Sequence, residues 1–188
     1  MTPRLPTHLA AAALVALVVA AGCSQGEPSR TANTSRSSAP PARIVLSSPA
    51  FAEEAPIPRQ YTCDGANQSP PLAWTGIPAR TAELVLTVED PDAPNGTFVH
   101  WVLYGMGPSI SSLEAGSSDG AVEGVNGSGR TGYGGPCPPR GTQHRYVFVL
   151  SAVSRATNLA KGASAAQVQS AIAGTTLAQG QLVARYGR

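Results

Sequence analysis

Residues 84–104 read LVLTVEDPDAPNGTFVHWVLY, and this stretch decides the fold. Leu84, Leu86, Val88 and Asp90 recur at every second position. That is the repeat of a β-strand, so one face of the run is apolar and ends in a carboxylate. Pro91 and Pro94 stop the strand because proline has no N–H to give to a ladder. Asn95-Gly96 then turns the chain. A second strand is expected from Phe98 to Tyr104, with His100, Val102 and Tyr104 on one face and Val99, Trp101 and Leu103 on the other. Apolar residues on both faces predict an interior strand covered on both sides. A third run, Arg145 to Val153, follows His144, and His144, Tyr146, Phe148 and Leu150 share a face on the same period.

Outward from these runs the signals are shorter. Arg43–Leu46, Arg59–Cys63 and Leu72–Trp74 read as brief strands, and Val122–Val125 as extended chain. Ser164 to Ala173 reads as a helix. Ser164 and Gln167 have the spacing of a capping box, and Gly174 follows the last turn. Leu177 to Tyr186 closes the chain as a strand or a short helix. Many strands, few helices and long turns indicate a predominantly β sandwich with peripheral helices.

The first 22 residues form a leader. Arg4 precedes an apolar segment, Leu9 to Val19, far below the about 20 residues that span a bilayer. It is expected to be a secretory signal. Ala20-Ala21-Gly22-Cys23 resembles a bacterial lipobox, with Cys23 as the lipid-bearing first mature residue; the alternative is ordinary cleavage without lipid. Residues 23–42 are rich in Ser, Thr, Pro and Ala and lack apolar periodicity, so a disordered tether is expected. The folded domain is then 43–188, held at the outer side of a bacterial cytoplasmic membrane. Twelve arginines against one lysine, with much alanine, suggest a GC-rich genome. Residues 43–123 carry three basic and ten acidic side chains, and 124–188 carry seven basic and none acidic. The two halves neutralise each other, and no basic stripe supports nucleic-acid binding.

Several chemistries can be weighed against the residues. Gly127-Ser-Gly129-Arg-Thr-Gly132 fits the dinucleotide fingerprint as letters, but prolines follow where a helix is required, and no carboxylate occurs after Glu123. The loop can still offer backbone N–H groups to an anion. No nucleophile elbow is present. Asp90 or Asp92 with His100 and His144 offers zinc or iron ligand types, yet the two histidines lie far apart without local ligand spacing, so no metal or other cofactor is expected. Cys63 and Cys137 are the two cysteines of the domain; in an exported protein they are expected to pair, the alternative being two separate buried thiols. The remaining constellation is Asp90, His100, His144 and Tyr146. Two imidazoles and a phenol supply donors and a carboxylate can orient a ring, which suits a small anion such as a phosphate monoester or acetate.

DPDAP followed by HW, then GPCPPRGTQHRYVFVL, resembles the phosphatidylethanolamine-binding protein family, also called Raf kinase inhibitor-like. YTCDGANQSPPLAWTGIP and GVNGSGRTGYGGPCPP are similar to its bacterial subgroup. The resemblance covers about residues 43–188. It implies a sandwich of two antiparallel sheets with short helices, and a pocket for phosphate or a phosphoethanolamine head group. Carried over by motif, Asp90, His100, Pro139, His144 and Tyr146 would line that pocket, with Asp92, Trp101 and Arg145 as a supporting shell. The function expected is a membrane-tethered binding module and not an enzyme. The alternatives are a regulator of an envelope kinase or protease acting through an unidentified protein partner, and a hydrolase using His100 and His144.

Overall fold

The structure is a computed structural model that describes residues 43–188. The signal segment, Cys23 and the tether expected from the sequence lie outside the described residues.

Two antiparallel sheets form the domain. The smaller has the order β1-β2-β5, from Val45–Ser47, Leu72–Thr75 and Ser112–Leu113. The larger has the order β6-β4-β3-β7-β8. Its strands are β3 (Glu83–Asp90), β4 (Phe98–Met106), β6 (Val122–Glu123), β7 (Gln143–Val153) and β8 (Thr176–Gly187). The β3–β4 pair follows the proline-closed, Asn-Gly connection. The chain's last segment, which could have been helix, is the long strand β8, paired along the whole of β7 with one register shift between Ala152 and Val153. Helix α1 (Ala165–Ile172) is the single α-helix among the described residues, and both halves of the Ser164–Gln167 capping box are formed. No described helix is long and apolar enough to cross a membrane.

The period-two faces become two cores. Leu84, Leu86 and Val88 of β3 meet Tyr146, Phe148 and Leu150 of β7, and across the sandwich Leu46, Leu72, Trp74 and Leu113 of the smaller sheet. On the other face of the large sheet Val85, Val102, Tyr104 and Val153 pack against Val168 and Ile172 of α1. Leu86 is fully buried, and truncating such a side chain to alanine costs about 2–5 kcal/mol.

Two expectations need correction. Arg59–Cys63 is not a strand. Arg59–Tyr61 is a single 3-10 turn, closed by Tyr61 N–H to the Pro58 carbonyl at 3.0 Å and Thr62 N–H to the Arg59 carbonyl at 3.1 Å. The second concerns His100. The ladder between β3 and β4 pairs Val88 with Trp101 and Glu89 with Val99, leaving His100 as an extra residue. A bulge of this kind puts two neighbours on the same side and re-aims the side chain. Val99 therefore packs with the helix-side core, beside Val102 and Tyr104. His100 does not share their face: its ring contacts Tyr146, which belongs to the core between the sheets.

Candidate functional site

β3 ends where β4 and β7 begin, so one end of the large sheet collects Asp90, His100 and His144. All three are buried polar residues. They line a cavity of about 460 Å³ together with Pro138 and Pro139. This volume lies within the range of small-molecule sites. Ala93, Pro94 and Phe98 make the rest of its apolar wall, and Asn67, Ser128 and Arg130 make a polar rim.

Each imidazole is fixed through Nδ1. His144 Nδ1 lies 2.7 Å from Asp90 Oδ2. His100 Nδ1 lies 2.6 Å from the Gly134 carbonyl oxygen. A carbonyl only accepts, so His100 Nδ1 carries the proton and donates it; the Asp90 carboxylate, as the acceptor, imposes the same tautomer on His144. In both rings Nε2 is then the atom left for other partners. His144 Nε2 has only a long approach, 3.4 Å, to Thr142 Oγ1, whose own proton goes to the Pro139 carbonyl at 2.7 Å. His100 Nε2 has no hydrogen-bond partner among the described residues. Burial lowers the His100 pKa, opposed by its bond to Gly134 and by the charge of Asp90. The ring is therefore neutral near pH 7, and its Nε2 is an acceptor until it takes up a proton.

The supporting groups are tied to the same sheet end. The Asp92 N–H donates to Asp90 Oδ1 at 2.9 Å, so both Asp90 oxygens are engaged. Arg145 grips Asp92 through Nε at 2.9 Å and a terminal nitrogen at 2.6 Å, and its backbone N–H adds a third bond at 2.9 Å. These bonds hold the Asp92 carboxyl well below the usual carboxylate range. The pair clamps the β3–β4 connection to β7 outside the cavity.

Tyr146 lies deeper than the other motif residues. It is fully buried, is not among the cavity-lining residues, and its ring meets that of His100 edge-on at 5.2 Å. Its hydroxyl has no partner among the described residues, and burial raises its pKa strongly. Trp101 is buried against Tyr133, with ring centres 5.5 Å apart. Tyr133 in turn donates to the Tyr61 carbonyl at 2.8 Å, so Trp101 braces the loop that carries Gly134.

That loop is the opposite wall. Cys63 and Cys137 are bonded, with Cα atoms 5.4 Å apart, and both line the cavity. The Gly135 N–H donates to Asn67 Oδ1 at 2.8 Å. A Cβ at Gly135 would meet that oxygen at 2.5 Å, and one at Gly127 would meet the Phe98 ring at 2.7 Å. Glycine is therefore needed at both places for close approach. Ser128 and Arg130 come from the Gly127–Gly132 stretch, whose glycines signalled an anion loop; the arginine inside it, with Phe98 and Asn67, was not picked out from the sequence.

The two-sheet antiparallel sandwich is shared with proteins of known structure. The chain belongs to the phosphatidylethanolamine-binding protein family, whose pattern matches residues 47–187. It is 40% identical to a Mycobacterium tuberculosis protein named "Putative lipoprotein LppC", over 96% of each chain. It is 44% identical to a UPF0098 protein of Methanothermobacter thermautotrophicus, over 76% of this chain and 98% of the other. The crystal structure of CT736 from Chlamydia trachomatis, described as a phosphatidylethanolamine-binding protein homologue, superposes with a TM-score of 0.75 at 36% identity, over 78% of this chain and 99% of that one.

Proposed function

We propose that the domain is a binding module for small anions, phosphate or a phosphate monoester such as the phosphoethanolamine head group, and not a catalyst. The observation that carries this is the pair of Nδ1 anchors. Two rings lining one cavity are each fixed by a protein acceptor, 2.7 Å and 2.6 Å away, and each keeps Nε2 for a ligand. Protonated, both Nε2 atoms become charged donors, and charge-assisted bonds to an anion are the stronger kind. Arg130 adds a fixed positive charge at the rim. Isothermal titration of the full-length protein with inorganic phosphate should show binding, and His100→Ala should weaken it roughly 10-fold or more. No binding, or no effect of the substitution, would overturn the reading.

The residues proposed to line the pocket of this module are Asp90, His100, Pro139 and His144; Tyr146 is proposed to act from beneath the His100 ring, with Asp92, Trp101 and Arg145 as further support. The chain is proposed to comprise a signal peptide over 1–22, a tether over 23–42 and the binding domain over 43–188. Cys23 is proposed to carry lipid and to hold the domain at the outer face of the cytoplasmic membrane. The name carried by the mycobacterial relative supports this placement. In cell fractionation, Cys23→Ala should move the protein out of the membrane fraction; retention there would refute the anchor.

A further inference from the structure

The disulfide stands in the wall of the cavity and not behind it. Cys63 and Cys137 both line the hollow that holds the two imidazoles. Cys63 is partly exposed and Cys137 is exposed, so a small soluble thiol can reach the bond.

That position makes the bond part of the binding geometry. Gly134, Pro138 and Pro139, all within three residues of Cys137, line the same cavity. The Gly134 carbonyl accepts the His100 Nδ1 proton at 2.6 Å and so sets the ring. Without the S–S bond this wall rests on hydrogen bonds, among them Cys63 N–H to the Pro136 carbonyl at 3.1 Å and Gly135 N–H to Asn67 Oδ1 at 2.8 Å. These two keep the cysteines side by side, so a cut bond can re-form. Arg188 meets the bond from its other side. Its Nη1 lies 3.4 Å from the Cys137 sulfur, and its Nε lies 3.1 Å from Asp64 Oδ2. A guanidinium beside a sulfur stabilises the thiolate that departs when a disulfide is opened.

We infer that Cys63–Cys137 is a redox-modification site that sets the anion affinity of the pocket, the oxidised form being the one that binds. This rests on the anion reading above and adds a control to it. The reductant is a dithiol. One of its thiolates attacks the Cys63 sulfur; that S–S bond forms as the Cys63–Cys137 bond breaks, and Cys137 leaves as a thiolate beside Arg188. The second thiolate of the dithiol then displaces Cys63. The dithiol ends as a disulfide, two electrons have passed to the protein, and the two protons of the dithiol end on Cys63 and Cys137. Freed from Cys63, the Cys137 wall no longer holds the Gly134 carbonyl and the two prolines in one place, and the anion loses the fixed His100 ring. Linkage makes the effect reciprocal: if reduction weakens binding, a bound anion resists reduction by the same factor.

The test uses the full-length protein with Cys23→Ala, so that Cys63 and Cys137 are its two cysteines. In calorimetry at neutral pH the oxidised form should bind sulfate roughly 10-fold tighter than the form reduced with dithiothreitol. In mixtures of reduced and oxidised dithiothreitol, saturating sulfate should raise the ratio needed for half reduction by about the same 10-fold, and chloride at equal ionic strength should not. His100→Ala should abolish the sulfate effect. Equal sulfate affinity in the two forms, with a redox balance indifferent to sulfate, would overturn the inference and leave the anion reading standing. Loss of the far-UV circular dichroism on reduction would also overturn it, because the bond would then hold the fold and not the pocket. If neither form binds sulfate, the anion reading falls and this inference with it.

Discussion

The two walls of the cavity are built in different ways. The wall bearing Asp90 and His144 stands on neighbouring strands, β3 and β7, paired continuously from Glu83↔Val153 to Glu89↔Val147. A slip in register would move every core side chain to the wrong face, so the whole sandwich fixes the Asp90–His144 pair. The facing wall, residues 126–139, lies between β6 and β7 and outside the named strands. It is held by single attachments: the Cys63–Cys137 bond, Asn67 to Gly135, Asn126 within the loop, and Tyr133 between Trp101 and Tyr61. His100 belongs to both, on a strand through its backbone and on the loop through Gly134. One wall is thus fixed by cooperative pairing, and the other depends on a few bonds that can be cut singly.

Cutting the disulfide should have the largest effect. Cys63 and Cys137 are 74 residues apart, and a cross-link closing so long a loop stabilises by about 4 kcal/mol in the chain-entropy view. Reduction, or paired replacement by serine, should lower stability on that scale in denaturant titration. Hydrogen exchange should accelerate in residues 126–139 while β3 and β7 stay protected. Equal loss of protection in both walls would erase the distinction between them.

Asp90→Ala comes next and strikes the strand wall. It leaves the buried His144 Nδ1–H and the Asp92 N–H without their acceptor. Each stranded donor costs about 1–3 kcal/mol, so a loss of roughly 2–4 kcal/mol is expected. A change below about 1 kcal/mol would mean that the pair does not fix this wall.

The smallest effect is in pH. Because burial depresses the His100 pKa in the folded protein, the unfolded chain binds more protons between the folded value and the reference of about 6.5. Stability should therefore rise with pH through that window and fall as pH drops through it. His100→Gln should flatten the slope. An unchanged slope in that variant would assign the titration to another group.

This division also explains what could be read from the sequence. The long strands, the capped helix and the shared face of Asp90 with Leu84, Leu86 and Val88 follow from local period and local capping. The face of His100 did not, because Val-His-Trp contains no Gly or Pro to mark the extra residue in the β4 ladder. Arg59–Cys63 has strand-like composition, but Pro58 places its carbonyl where a 3-10 turn closes on it. The loop wall was the least legible. Asn67 reaches Gly135 across 68 residues, and no local pattern signals such a contact. Arg130 stood inside a glycine-rich stretch recognised only for its backbone, so its place in the wall of the cavity emerged with the fold.

Titration with sulfate across pH tests the anion pocket most directly. Sulfate remains a dianion from about pH 5.5 to 8, so any change in affinity over this range belongs to the protein and centres on its imidazoles. In calorimetry on the full-length protein, affinity should rise several-fold as pH falls from about 7.5 to 5.5, a window extended to the acid side because burial lowers the His100 pKa, and His100→Ala should remove most of the rise. Affinity that is flat across this range, or binding indifferent to His100, would contradict an anion pocket built on two anchored imidazoles.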